Sequence, residues 1–138
     1  MASDRIVPIH FWLDESFPVA RGPKVAPDRP IRFLFIGWMI KEKGVNELLS
    51  AIRELRGIYE FTVTFIGGGT LLESVRSTIK TSGWEESISA LGWISKEDFG
   101  NVFEAADIFV LPSYAEGFPL SLIEAFSQGL PAICSDVG

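Results

Sequence analysis

The stretch Ala106-Asp-Ile-Phe-Val-Leu-Pro-Ser-Tyr-Ala-Glu-Gly-Phe-Pro-Leu-Ser-Leu-Ile-Glu124 passes from one structural pattern to another. Its first part is an apolar run ended by Pro112, which is typical of a short buried strand. A Gly/Pro loop follows, and the last part places apolar residues on one side of a helix. Open parallel sheets bind ligands where a strand opens into a helix N-terminus, and such termini favour anions. The stretch therefore predicts an anion held beside Glu116 and Glu124.

Length and composition indicate one globular domain with a real core. The chain has 138 residues and a hydrophobic content of 47%, which is too apolar for a disordered protein. Its net charge of -6 and its lack of any basic run argue against a general nucleic-acid binder. No window approaches the ~20 apolar residues of a membrane span, and the first residues, Met-Ala-Ser-Asp-Arg, lack the apolar core of a secretory signal. We expect a cytoplasmic protein, with peripheral membrane association of the full-length protein left open.

Disulfide and metal chemistry have little support in the sequence. Cys134 is the only cysteine, so no internal disulfide can form, and we expect it to be a small buried hydrophobe. His10, the only histidine, stands beside two aromatic residues and is expected to pack against them. There is no Asp-x-Asp motif and no His/Cys cluster, and the sequence therefore predicts no metal site.

Strands and helices alternate from residue 31 onward. Strands are predicted at 31–37, 60–66, 87–91, 107–111 and 130–135. Helices are predicted at 44–56, at about 71–80, after a Ser95 N-cap with Asp98 in the capping-box position, and through Glu124. This alternation predicts an α/β, Rossmann-like, doubly wound parallel sheet with right-handed crossovers.

The two ends of the chain differ from this regular middle. Residues 1–30 hold five of the eight prolines and are predicted to be a lead-in or interdomain segment, with one optional edge strand at 6–9. Residues 31–138 are predicted to form the ligand-binding domain. The chain stops just after a strand, where this fold next needs a loop and a covering helix. We therefore expect a domain truncated at its C-terminus, marginally stable or dimeric when isolated.

Six motifs in a fixed order resemble a known family. They are Phe35-Ile-Gly-Trp-Met-Ile-Lys-Glu-Lys-Gly44, Phe65-Ile-Gly-Gly-Gly69, Leu91-Gly-Trp-Ile94, Ala106 to Ser113, Glu116 to Glu124 and Gly129 to Gly138. Together they resemble the C-terminal, nucleotide-sugar-binding domain of retaining GT-B glycosyltransferases of the family 4 type. The resemblance implies transfer of a hexosyl-type sugar from a nucleotide-sugar to an acceptor, with retention, in polysaccharide or glycolipid biosynthesis. It also implies no metal and no cofactor, since the nucleotide-sugar is a substrate. Acceptor groups would come mainly from an N-terminal domain that this chain lacks.

The resemblance also implies roles for charged residues. Glu116 would lie at the donor sugar hydroxyls, Glu124 at the ribose, and Lys43 at the diphosphate, which makes Glu116 and Lys43 the candidate catalytic residues. A carboxylate can accept two hydroxyl hydrogen bonds, and such charge-assisted bonds are strong. The alternative is that Glu116 is a turn acid, Glu124 a solvated helix residue, and Lys43 a surface charge like Lys41.

The start of the last helix supplies further candidates. Pro119 suits the first helical position, and the amides of Leu120 and Ser121 are expected to be free for a phosphate. The Ser121 hydroxyl has two open roles, a bond to the diphosphate or a cap on its own helix. Gly117 and Phe118 in the preceding loop complete this part of the predicted donor site.

Trp38 departs from the family pattern, which has an arginine at this position. The loss of a guanidinium is expected to weaken diphosphate binding and leaving-group stabilisation. Trp38 either stacks on a ligand or packs in the core. The resemblance further places Gly37 and Gly68 in the donor site, and the backbone of Trp93 and Ile94 at the nucleobase, where Trp93 is otherwise a core candidate.

Other functions stay open. One is a nucleotide-binding module that has kept the cleft and lost transfer, for which Trp38 would be the sign. Another is a GT-B nucleotide-sugar epimerase. A dinucleotide-binding Rossmann domain is disfavoured, because no Gly-x-Gly-x-x-Gly follows the first strand.

Overall fold

The structure, a computed structural model, describes residues 29–137, with Lys96 described by its backbone alone. The predicted lead-in up to residue 28, its edge strand at 6–9 and His10 lie outside the described residues. The strands are β1 Ile31–Ile36, β2 Phe61–Ile66, β3 Ile88–Gly92, β4 Ile108–Leu111 and β5 Ala132–Cys134. The helices are α1 Val45–Leu55, α2 Leu72–Thr81, α3 Lys96–Glu104 and α4 Leu120–Ser127, and a 3₁₀ turn at Lys41–Lys43 precedes α1.

The strands form one parallel sheet in the order β3-β2-β1-β4-β5. The chain builds outward from β1 to β3 and then returns to the other side of β1 to place β4. The predicted doubly wound α/β sheet is therefore confirmed. The strand order reverses between β1 and β4, and ligands bind in doubly wound sheets beyond the carboxyl ends of the strands at such a point.

The core is aromatic at its centre. Phe35 and Phe65 are paired partners on β1 and β2, and both are fully buried, as are Phe103 and Phe109. Continuous apolar runs such as that of β1 occur where both faces of a parallel sheet are covered. The sequence places Val45, Leu48, Leu49, Ile52 and Leu55 on one stripe of α1. The first four are buried, whereas Leu55, at the helix end, is 41% exposed.

Local signals fix the helix ends. Ser95 caps α3 by accepting a hydrogen bond from the Asp98 N–H, as the capping-box pattern predicts. Gly44 caps α1 with φ of 67°, and a Cβ atom there would lie 1.9 Å from the carbonyl oxygen of Pro112. Only glycine permits this approach. The loop after β1 is thereby held against the loop after β4.

Asp107, just before β4, anchors the amino ends of the strands. Its side chain is 2% exposed, and its two oxygens accept hydrogen bonds of 2.6 Å each from the Arg29 guanidinium. The Arg32 guanidinium donates to the same carboxylate at 3.1 and 3.0 Å. These hydrogen bonds, that of Arg29 first, hold the pKa of Asp107 well below its usual range.

Cys134 corrects one prediction. It is exposed, not buried, because β5 is the edge strand of the described sheet and pairs with β4 alone. Its neighbour Ile133 is 57% exposed as well. Across residues 29–137, none of the helices combines the length and apolar character needed to span a bilayer.

Candidate active site

A cleft of about 370 Å³ opens at the carboxyl ends of β1 and β4. Its walls come from the loop after β1, the loop after β4 and the start of α4, so it lies where the strand order reverses. A larger groove of about 660 Å³ runs past Arg56, Tyr59 and Glu86 near the amino ends of β2 and β3. That groove contains no predicted site residue, and we assign the site to the smaller cleft for its position and its chemistry.

Most of the predicted site residues line this cleft together: Gly37, Trp38, Lys43, Trp93, Glu116, Phe118, Pro119, Leu120, Ser121 and Glu124. Three others do not line it. Gly117 is exposed, Ile94 packs against the core, and Gly68 is buried beside the Trp93 ring. The wall also includes Ile36, Phe99 and Leu111, which sequence reasoning missed because they are apolar side chains without a motif of their own.

Lys43 and Glu116 form an ion pair inside the cleft. The distance between Lys43 Nζ and Glu116 Oε1 is 2.7 Å, and the side chains are 22% and 10% exposed. Gly44 ends the 3₁₀ turn that carries Lys43 and lets this loop reach the loop of Glu116. Glu116 is therefore more than a solvated turn acid, because its carboxylate joins two loops of the sheet's carboxyl edge.

Ser113 is a member of this cluster that the sequence analysis did not single out. Its hydroxyl donates to the same oxygen, Glu116 Oε1, at 2.6 Å, and the residue is 2% exposed. Its place at the end of β4, three residues before Glu116, is the signal that could have identified it.

Glu124 sits half-buried on α4 with its side chain in the cleft wall. Burial raises the pKa of its carboxyl, because a charged carboxylate loses hydration there. Within residues 29–137 no group donates a recorded hydrogen bond to this carboxylate. The site thus holds a hydrogen-bond acceptor that a hydroxyl group of a ligand could satisfy.

The start of α4 differs from the prediction at two points. Pro119 is the N-cap and not the first helical residue, because its φ of -78° and ψ of 86° are not helical. This conformation is close to an inverse γ-turn, and the Leu120 N–H donates to the Phe118 carbonyl at 3.0 Å. The predicted free amide of Leu120 is therefore wrong. Among the described residues, the Ser121 amide has no recorded acceptor.

Two indole rings form one side of the cleft. Trp38 and Trp93 are 56% and 57% exposed, so the core role considered for each is wrong. Their ring centroids lie 5.2 Å apart with an interplanar angle of 80°, an edge-to-face pair. A Cβ atom on Gly68 would lie 2.5 Å from Trp93 Nε1, so this glycine leaves room for the indole.

The charges of the cleft are unevenly matched. Its described walls carry one cation, Lys43, and two carboxylates, Glu116 and Glu124. The cation is already paired with Glu116. A ligand phosphate would thus meet a shared lysine and the Ser121 amide, while ligand hydroxyls would meet two carboxylates and a planar ring would meet the indoles.

Comparisons with known proteins identify the family of the chain. The family described as "Glycosyl transferases group 1" matches residues 16–138. A Bacillus subtilis glycosyltransferase named for teichuronic acid biosynthesis is 35% identical over 105 residues, covering 76% of this chain and 24% of that protein. The O-antigen chain mannosyltransferase B of Escherichia coli is 34% identical over 110 residues, covering 75% and 28%.

A solved structure shares the fold. The lipopolysaccharide outer core galactosyltransferase WaaB superposes with a TM-score of 0.73 at 29% identity, over 88% of this chain and 35% of that one. The chain thus spans about a quarter to a third of the length of these proteins. With a family match over most of its length and a Rossmann-like sheet shared with GT-B glycosyltransferases, the chain belongs to the glycosyl transferases group 1 family.

Proposed function

We propose that this chain is the donor-binding part of a glycosyltransferase that moves a sugar from a nucleotide-sugar to an acceptor, with retention and without a metal. The observation that carries the proposal is the Lys43–Glu116 ion pair of 2.7 Å, set beside Glu124 where the strand order reverses. The related mannosyltransferase and galactosyltransferase support a hexosyl donor and a role in polysaccharide or glycolipid biosynthesis.

In the proposed complex, the sugar lies over Glu116 and the ribose over Glu124. The diphosphate lies between Lys43 and the Ser121 amide. A lysine has three N–H donors, and Lys43 spends one on Glu116, so the others can bind phosphate oxygens. As the sugar leaves, negative charge grows on the diphosphate, and fixed donors stabilise that charge.

Retention fits a front-face displacement. The acceptor oxygen forms its bond to the anomeric carbon on the side from which the diphosphate departs, the bond from that carbon to the phosphate oxygen breaks, and the acceptor proton passes to that oxygen. Glu116 Oε1 is engaged by both Lys43 and Ser113. This engagement favours Glu116 as a group that orients the sugar and not as a covalent nucleophile.

The same proposal includes four further points: the reaction needs no metal, it needs no cofactor, an N-terminal domain contributes acceptor groups, and the protein is cytoplasmic. Within residues 29–137, no cluster of three or more His, Cys, Asp or Glu side chains is suited to hold a metal ion. Charge on the leaving group would then be carried by Lys43 and the first turn of α4.

A second candidate is a nucleotide-binding module without transfer activity. Trp38 favours it, because the side chain that faces the cleft at this position carries no charge and the cleft's lysine is already paired. Both candidates require a nucleotide in the cleft.

A calorimetric titration tests the nucleotide site. UDP, GDP and ADP, and then their sugars, are titrated into the protein and into Glu124→Gln. We expect the substitution to weaken the preferred nucleotide by roughly tenfold or more, since a neutral amide accepts weaker hydrogen bonds from the ribose. Glu54→Gln, an exposed acid on α1, is the matched control. Unchanged binding by Glu124→Gln would reject the site.

A further inference from the structure

One oxygen of Glu116 receives two donors. Lys43 Nζ and Ser113 Oγ lie 2.7 and 2.6 Å from Oε1. A carboxylate oxygen has two lone-pair positions, so these two bonds fill Oε1. Within the described residues, no hydrogen bond to Oε2 is recorded. The two oxygens of this carboxylate are therefore not equivalent.

Ser113 is well placed to hold this asymmetry. It is 2% exposed, directly after Pro112, where β4 leaves the sheet. The next residue, Tyr114, donates its N–H to the Glu42 carbonyl at 2.8 Å, which ties the loop to the 3₁₀ turn before α1. Because Ser113 is buried and its backbone is tethered, its hydroxyl has few acceptors within reach other than Glu116 Oε1.

We propose that Ser113 is a positioning residue that sets sugar selectivity. Together with Lys43 it fixes the rotation of the Glu116 carboxylate and leaves Oε2 as the oxygen that reads donor-sugar hydroxyls. The inference rests on the proposed function, in which Glu116 contacts the sugar. A carboxylate fixed in this way accepts hydroxyl hydrogen bonds only from a narrow range of directions, and so it separates sugars that differ at one carbon.

Loss of the Ser113 hydroxyl should therefore act on the sugar and not on the nucleotide. In Ser113→Ala, Oε1 regains a free lone pair and the carboxylate can rotate toward either of two epimers. We expect the affinity ratio between epimeric donors to fall by roughly tenfold or more, which corresponds to one hydrogen bond to a charged group. Affinity for the free nucleoside diphosphate should stay within about twofold, since it lacks the donor sugar that Glu116 reads.

The test uses calorimetry on the full-length protein. For whichever of UDP, GDP and ADP binds, the free nucleotide, its glucose derivative and the C4 or C2 epimer of that derivative are titrated into the unsubstituted protein, Ser113→Ala and Ser113→Thr. The threonine variant keeps the hydroxyl and is expected to restore part of the ratio. Ser87→Ala is the control, because its hydroxyl also bonds a charged side chain, that of Arg56, but lies by the other groove.

The outcomes separate the two proposals. Two results would overturn this inference alone and leave Ser113 as a structural residue. One is an unchanged epimer ratio in Ser113→Ala, and the other is an equal loss of affinity for the free nucleotide and for both nucleotide-sugars. Absence of nucleotide binding by the unsubstituted protein would overturn the proposed function, and this inference with it.

Discussion

Lys43 and Glu116 are 73 positions apart in the chain, yet Nζ of the first lies 2.7 Å from Oε1 of the second. The pair joins the loops on either side of the point where the strand order reverses. A ligand phosphate can therefore bind Lys43 only by sharing it with Glu116, so the sugar-reading acid and the phosphate-binding cation are coupled before any ligand arrives.

Removing one partner of this pair should cost more stability than removing both. Lys43→Met leaves the Glu116 carboxylate without its cationic partner in a site where its side chain is 10% exposed, and we expect the free energy of unfolding to fall by about 1–3 kcal/mol. In Lys43→Met/Glu116→Gln the loss should be smaller, because no unpaired charge remains. Urea unfolding of the two single variants and the double variant measures the difference.

Lys41→Met is the matched control for that cycle. Lys41 is exposed, and its replacement should change the free energy of unfolding by no more than about 0.5 kcal/mol. If the losses in free energy of unfolding caused by Lys43→Met and Glu116→Gln simply add in the double variant, the proposed coupling between Lys43 and Glu116 is contradicted.

Glu124→Gln should stabilise the ligand-free chain at neutral pH while it weakens nucleotide binding. Burial raises the pKa of Glu124 above that of the unfolded chain, so the folded chain binds more protons between the two values. Its contribution to stability is therefore present below the unfolded pKa and is lost as the pH rises through the folded pKa. Urea unfolding from pH 4 to pH 7 should show this loss in the unsubstituted chain and not in Glu124→Gln. Equal pH slopes in the two proteins would refute it.

Asp107 should show the opposite dependence on pH. Hydrogen bonds from Arg29 and Arg32 lower the pKa of Asp107, so its contribution is present above the unfolded pKa of about 4 and is lost as the pH falls below it. Asp107→Asn should lower the free energy of unfolding at pH 7 by about 2–3 kcal/mol, less than for a fully buried pair because the guanidinium side chains are 34% and 33% exposed. The deficit relative to the unsubstituted chain should shrink in acid. Asp136→Asn, at an exposed acid, is the control.

Trp38→Arg separates an active transferase from a module that has lost transfer. A guanidinium in the cleft wall should tighten binding of the preferred nucleoside diphosphate by roughly three- to tenfold, measured by calorimetry. Trp38→Gln removes the indole without adding charge and should not tighten it. If transfer by the full-length protein rises more than about tenfold in Trp38→Arg, the module that has lost transfer is favoured. An unchanged rate favours an enzyme that has compensated for the missing arginine.

Patterns within the chain predict the fold well, because each element carries its own local signal. The apolar run of β1 predicts a buried strand, the apolar stripe of α1 predicts a helix, and Ser95 predicts the start of α3. The prediction that Lys43 and Glu116 lie in one site came from the resemblance to GT-B glycosyltransferases. The motifs that carry these two residues stand at the carboxyl ends of neighbouring strands.

What could not be predicted depends on tertiary geometry. The γ-turn that engages the Leu120 amide depends on the ψ of Pro119, which no sequence pattern fixes. The bond from Ser113 to Glu116 depends on how the loop folds back, and the exposure of Cys134 depends on which strand lies at the edge.

The contact between Gly44 and Pro112 has a mechanical consequence for the cleft. Because no Cβ atom fits between these backbones, the loop after β1 packs directly against the start of the loop after β4. Further along the loop after β4, a Cβ atom added to Gly117 would meet nothing within 4 Å. We therefore expect adjustment of the cleft to the size of its ligand to occur in the open segment around Gly117 and not at the closely packed Gly44–Pro112 contact.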